Sequence, residues 1–175
     1  RWVKPGVAEL EFAYPVTTEI PFREPAYGEA LRPFYDTASK AIATHLARGE
    51  DVAFICEGDP LFYGSFMHVH ARLKGRFRVA ISPGITGMSG CWTAAQQPMS
   101  WGDDVLTVLP GTLPRAELAR RLAATDAAVV MKLGHNLPKV RGALVEAGLA
   151  ERAIYVERGT MAEERILPFA EMPGD

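Results

Sequence analysis

Glu57-Gly58-Asp59-Pro60-Leu61-Phe62 brings together a backbone position without a side chain, two carboxylates and a stiffened turn. Gly58 lets a ligand approach the main chain closely. Asp59 offers acceptors to hydroxyl or ammonium groups, and Pro60 fixes its own φ. The chemistry this favours is the gripping of a small polar molecule. The same residues also suit an ordinary strand-to-helix turn with Asp59 near a helix start, and the local pattern leaves both readings open. Glu57 is either a base beside that turn or an exposed carboxylate at a strand end. Cys56 lies in an apolar run with no neighbouring base, so it makes a poor nucleophile. His68 and His70 are two apart on an expected helix and face different ways. No Cys-x-x-Cys or His-Glu-x-x-His spacing occurs, and no Gly-Lys-Ser/Thr phosphate loop, so no metal is expected.

The elements that must hold this turn follow from periodicity. Val52 to Cys56 is short, apolar and rich in strand formers, which predicts a buried strand. A helix is expected from Gly64 to Leu73, then a strand from Arg76 to Ser82 leading into Pro83-Gly84-Ile85-Thr86-Gly87. Ligands of open α/β sheets bind at such carboxyl-terminal strand ends. Upstream, Val7 to Val16 alternates like a half-exposed strand, and Thr17 to Tyr27 reads as a loop. Phe34, Ala38, Ala41, Ile42 and Leu46 fall on one helical face, with Pro33 in the first turn and Gly49 as the stop. Pro98, Gly102 and two aspartates break the pattern, which sets a domain boundary: an amino-terminal domain at 1–99 and a carboxyl-terminal domain at 100–175. Beyond it come strand 105–109, helix 114–124, strand 127–132, helix 137–147 and strand 154–157. Asn136 is expected to cap the fourth helix and Gly148 to end it. Alternating strands and helices define an α/β protein with largely parallel sheets.

The 175 residues are 48% apolar and 23% charged, which suits a folded core rather than a disordered chain. A net charge of −2 gives no general attraction to nucleic acid or anionic lipid. No apolar run approaches the roughly 20 residues of a membrane span. Arg1-Trp2-Val3-Lys4-Pro5 has no apolar secretion core, and Cys56 and Cys91 read as free thiols, so a cytoplasmic location is expected.

Five motifs in fixed order make the reading specific. They are Cys56-Glu57-Gly58-Asp59-Pro60-Leu61-Phe62-Tyr63-Gly64-Ser65-Phe66-Met67, Pro83-Gly84-Ile85-Thr86, and Asp103-Asp104-Val105-Leu106-Thr107-Val108-Leu109-Pro110-Gly111-Thr112-Leu113. After them come Val130-Met131-Lys132-Leu133-Gly134 with Asn136-Leu137-Pro138-Lys139-Val140-Arg141, and Tyr155-Val156-Glu157-Arg158-Gly159-Thr160-Met161. In these the chain resembles the tetrapyrrole methylases over about residues 14 to 169. The resemblance implies two α/β domains, each a mostly parallel sheet flanked by helices, with S-adenosyl-methionine (SAM) in the cleft between them. It implies SAM-dependent C-methylation of a precorrin-2-type macrocycle at C(20), metal-free or cobalt-loaded, in cobalamin biosynthesis, by a homodimer. It also implies an opening strand and glycine-rich loop ahead of Arg1 and further strands after about Pro173. The 175 residues are accordingly expected to be truncated or part of a longer protein, and to bind SAM weakly alone.

By the same resemblance Gly58, Asp59 and Phe62 hold the methionine end of the cofactor. Thr86 and Gly87 offer helix-start N–H groups to a carboxylate. Met131, Gly159 and Thr160 enclose the adenosine. Taken singly, Met131 is a core filler, Thr86 a cap and Gly159 a turn. Glu57, Asp59 and Asp104 are the carboxylates available to remove a proton, with no choice among them. A polyacidic macrocycle calls for cations: Arg158, Lys132 and Arg23 first, with His135, Lys139 and Arg141 nearby and Tyr27 beside Arg23's loop. A relative that methylates RNA or protein is the rival within the fold, disfavoured by the lack of a basic stripe. A tetrapyrrole- or SAM-binding protein without turnover is the rival from another class.

Overall fold

The computed structural model describes residues 3–16, 20 and 24–173. They fall into two compact units, Arg1–Gly84 and Ile85–Asp175.

The first unit is built on α1 (Pro25–Ala47) and α2 (Phe66–Leu73). Leu31, Tyr35, Ala38 and Ile42 recur at helical spacing on α1 and are buried; Val69 and Leu73 of α2 pack into the same cluster. Helix α1 starts well before the expected position, because Pro25 rather than Pro33 occupies the first turn. Pro33 stands inside the helix, where it cannot donate to the carbonyl four residues back. It is on the exposed face, so water can satisfy that carbonyl. The helix ends as expected: Gly49 has φ +79°, its N–H donates to Leu46 O, and Glu50 N–H donates to His45 O.

The strands expected at 7–16, 52–56 and 76–82 are not strands among the described residues; the single bridge there joins Lys74 and Phe77. A ladder needs a second backbone about 4.8 Å away. Segments 52–54 and 78–82 instead line a groove of about 560 Å³, floored by Ile42, Val69 and Leu73. Phe54, Ile55 and Val79 stay exposed beside it. Local composition selects the extended backbone, and among the described residues no second backbone pairs with it.

His68 of α2 stacks on Tyr35 at 4.4 Å, and the Arg72 guanidinium lies over the same ring while bonding Asp36 at 2.8 Å. Burial pushes the Tyr35 hydroxyl up to about 12. Burial, then the Arg72 charge, pushes His68 below its ordinary 6.5. A depressed histidine stabilises the folded state fully above its unfolded value, and that contribution fades as pH falls through the folded value. The melting temperature is therefore expected to drop from pH 7 to pH 5.5, with a shallower drop in His68→Phe, which keeps the stack. Equal slopes in thermal melts of the two proteins would refute this.

The second unit carries α3 (Gly87–Ala94), β1 (Leu106–Pro110), α4 (Arg115–Leu122), β2 (Ala127–Met131), α5 (Leu137–Glu146), β3 (Ile154–Glu157) and β4 (Arg165–Pro168). Strands β1 and β2 pair in parallel from Leu106 opposite Ala127 to Pro110 opposite Met131, joined through α4. Strands β3 and β4 pair antiparallel, so this unit is α/β but not wholly parallel. Leu109, Leu118, Val140 and Ala143 form its fully enclosed centre, with Leu122, Leu144 and Phe169 around them. Gly148 closes α5 with φ +71°, its N–H donating to Val145 O and Leu149 N–H to Leu144 O. Asn136 precedes α5 but does not cap it with its side chain. A tight turn over Gly134–Asn136 carries it into helical geometry, where its Nδ2 donates to Lys132 O and its Oδ1 accepts from Lys139 Nζ.

Candidate active site

In the first unit the Glu57–Phe62 turn is held by its own main chain and by one carboxylate. Gly58 has φ +71°. Asp59 Oδ1 accepts from Leu61 N–H at 2.9 Å, and Asp59 Oδ2 accepts from Gly84 N–H at 3.1 Å. Phe62 N–H donates to Asp59 O at 3.2 Å, and the Phe62 ring meets Tyr63 edge to face. The turn closes tightly: a Cβ on Gly64 would lie 2.9 Å from Pro60 O. The approach of Gly84 is closer still, since a Cβ there would lie 2.2 Å from Gly58 O. Gly58 and Asp59 thus lie directly against Gly84, and Phe62 belongs to the same turn. Burial first, and then the Asp59 charge, raises the Cys56 thiol, which suits an unreactive side chain. Glu57 is exposed.

In the second unit Thr86 begins α3 with extended backbone, its Oγ1 accepting from Ser89 N–H at 3.3 Å, and Gly87 follows with open space where a Cβ would be. The flank of α3 meets the turn after β3. Gly90 lies against the Thr160 side chain, and a Cβ on Gly159 would come within 3.0 Å of Cys91 Cα and 3.1 Å of its Sγ. The structure therefore brings the helix opened by Thr86 and Gly87 together with Gly159 and Thr160. Gly159→Ala is expected to push this turn off α3 and cost about 1–3 kcal/mol in a denaturant melt. A loss under about 0.5 kcal/mol would show the turn yields freely.

Met131 ends β2 half-buried, and its carbonyl accepts from Gly111 N–H at 2.6 Å where β1 ends. Three non-glycine residues beyond these strand ends have left-handed backbone: Lys132 at φ 61°, Arg158 at 50° and Thr160 at 69°. Each such residue costs roughly 1–2 kcal/mol. Strain of this kind persists where surrounding structure imposes it, and it gathers at ligand-holding positions. Thr160 N–H is satisfied by the Glu164 carboxylate.

Other candidates are committed elsewhere or lie outside the description. Asp104 closes a local turn, accepting from Trp101 N–H at 2.9 Å while its own N–H donates to Trp101 O. Arg141 donates to the carbonyls of Met172 and Pro173 and lies over Phe169, so it is engaged in holding the 169–173 segment. Lys139 is engaged with Asn136, and Arg158 is exposed. Arg23 lies outside the described residues. Among the described residues no cluster of three or more His, Cys, Asp or Glu could hold a metal, and no helix is long and apolar enough to cross a membrane. Sequence reasoning missed the close packing roles of Gly84, Gly90 and Gly111. The available signal was a Pro-Gly pair just past two expected strands, Pro83-Gly84 and Pro110-Gly111, whereas Gly90 lies within α3 and carried none.

Each unit by itself carries features found at small-molecule sites of α/β enzymes: a carboxylate-bound turn in the first, and strand-end glycines with strained cationic positions in the second. The chain belongs to the tetrapyrrole (corrin/porphyrin) methylases, whose family model matches residues 4–172. It is 54% identical over 173 residues to the precorrin-2 C(20)-methyltransferase of Sinorhizobium sp, covering 99% of this chain and 71% of that protein. It is 50% identical over 171 residues to the cobalamin biosynthesis protein CobIJ of Mycobacterium bovis, covering 98% of this chain and 34% of that longer protein. It is 26% identical over 140 residues to the cobalt-precorrin-2 C(20)-methyltransferase of Salmonella typhimurium, 80% of this chain and 59% of that one.

Proposed function

We propose that this chain is a methyltransferase of cobalamin biosynthesis that methylates precorrin-2 at C(20), giving precorrin-3A, with SAM as methyl donor. The observation that carries this is 54% identity across nearly the whole chain to a precorrin-2 C(20)-methyltransferase. The much lower identity, 26%, to the enzyme named for the cobalt-loaded substrate favours the metal-free macrocycle.

The residues present fit the cofactor. Gly58 and Gly84 are exposed and pack backbone against backbone with no room for a side chain on Gly84, and Gly87 opens α3 with nothing within 4 Å of its Cβ position. Gly58, Asp59 and Phe62 would border the methionine end, Thr86 and Gly87 its carboxylate, and Met131, Gly159 and Thr160 the adenosine. Bound SAM supplies a methyl group on a sulfonium, already a good leaving group for an electron-rich ring carbon. What the chain adds is orientation, an entropic term that can reach several kcal/mol. Arg158 and Lys132, beyond two strand ends, would meet substrate carboxylates, with Arg23 as a third cation. Asp59 and Asp104 both accept backbone N–H groups within or across turns, so Glu57 is the candidate carboxylate through which a proton could leave. The same reading makes the protein a cytoplasmic homodimer with the family's two domains divided near 99/100.

Anaerobic incubation of the full protein with SAM and either precorrin-2 or its cobalt-loaded counterpart tests this. Transfer of one methyl to precorrin-2 in preference is expected. Preference for the cobalt form would assign the protein to the other route. SAM binding in calorimetry without transfer to either would make it a binding protein.

A further inference from the structure

We infer that Asp59 is a positioning residue, a brace whose two carboxylate oxygens fix the Gly58–Phe62 turn against Gly84. This rests on the proposed SAM site, which it refines by giving Asp59 a role other than base or ligand. Oδ1 takes the Leu61 N–H two residues ahead, and Oδ2 takes the Gly84 N–H 25 residues ahead. One planar group therefore sets the spacing of two segments distant in sequence. The contact it secures has no slack, since Gly58 O sits where a Gly84 Cβ would be. Both bonds need acceptors, and an ionised carboxylate supplies acceptors alone. Charge-assisted bonds of this kind are the stronger class. A carboxylate that takes up a proton in turnover loses the charge that strengthens both bonds, so bracing and proton removal work against each other at this residue.

Asparagine separates the roles. Its amide keeps one acceptor but turns an N–H₂ towards the other backbone donor. In the full protein, Asp59→Asn is expected to weaken SAM binding about tenfold, as dissociation constant and as KM for SAM. Its kcat should fall less than about threefold, and the pH–rate profile should keep its acid limb. Asp59→Ala, which loses both bonds, should weaken binding further. In wild-type protein labelled with ¹⁵N-glycine and ¹⁵N-leucine, the Gly84 and Leu61 amides should be protected from hydrogen exchange; at least one should lose about tenfold of that protection in Asp59→Asn, and both in Asp59→Ala. Loss of kcat by a hundredfold or more with KM unchanged and the acid limb gone would overturn the brace and make Asp59 a base. Wild-type affinity in Asp59→Asn, or amide protection that both substitutions leave unchanged, would overturn it too. The exchange measurement needs no cofactor. Wild-type protein that fails to bind SAM while these amides are protected through Asp59 would sink the SAM site and leave the brace standing.

Discussion

Gly84→Ala is expected to lose at least tenfold in SAM affinity and about 3 kcal/mol of stability in the first unit. The added methyl would sit 2.2 Å from Gly58 O and 2.8 Å from Gly58 C, both backbone atoms in a hydrogen-bonded turn. A flexible side chain could swing aside, but a turn fixed at Asp59 and Pro60 has no such route, so overpacking falls at the upper end of its usual range. Displacement of Gly84 also breaks its bond to Asp59 Oδ2. Gly28→Ala makes the control: it is exposed on α1 with nothing within 4 Å, and alanine there should stabilise the helix by up to about 1 kcal/mol. Native-state hydrogen exchange at Val69 and Leu73, with calorimetry of SAM binding, reads both effects. Gly84→Ala with unchanged exchange and affinity would show the two turns are not in firm contact.

Leu118→Ala should cost about 3–4 kcal/mol in the second unit. Leu118 is completely buried in α4, in one cluster with Leu109, Val140 and Ala143. Truncation removes transfer energy and leaves a cavity whose walls, α5 and β1, are themselves fixed. Val145→Ala on the neighbouring helix, at 62% exposure, should stay within about 0.5 kcal/mol. Denaturant melts followed through half-buried Trp92 report on this unit. A Leu118→Ala loss below about 1.5 kcal/mol would mean the core collapses around the gap.

The second unit was the more legible in sequence because its signals are local. Val105–Leu109 alternates with helix 114–124 under clear punctuation, and Gly148 stops α5 by supplying a left-handed residue. Strand character in the first unit depends on a neighbour that no local window contains, so Val52–Cys56 and Arg76–Ser82 were readable as extended but not as unpaired. Proline misled at α1, since both Pro25 and Pro33 meet the rule for a first turn and both are exposed, so nothing local separates them. At the candidate site the residue types were visible in the motifs. Which partner each would choose was not. Asp59 reaches Gly84, and Arg141 turns to Met172 and Pro173, across 25 and 31 or 32 positions respectively.

The positive φ of Arg158 sets heat tolerance against turnover. Glycine would adopt that backbone at no steric cost, so Arg158→Gly should raise the melting temperature by a few degrees, yet it removes a cation suited to an acidic macrocycle. A more robust protein with a raised KM for precorrin-2 is the expected outcome, and a variant that gains on both counts would show the arginine is idle. Selection for durability alone would have discarded this side chain, and under the proposed function its charge is what the strained backbone is kept to present.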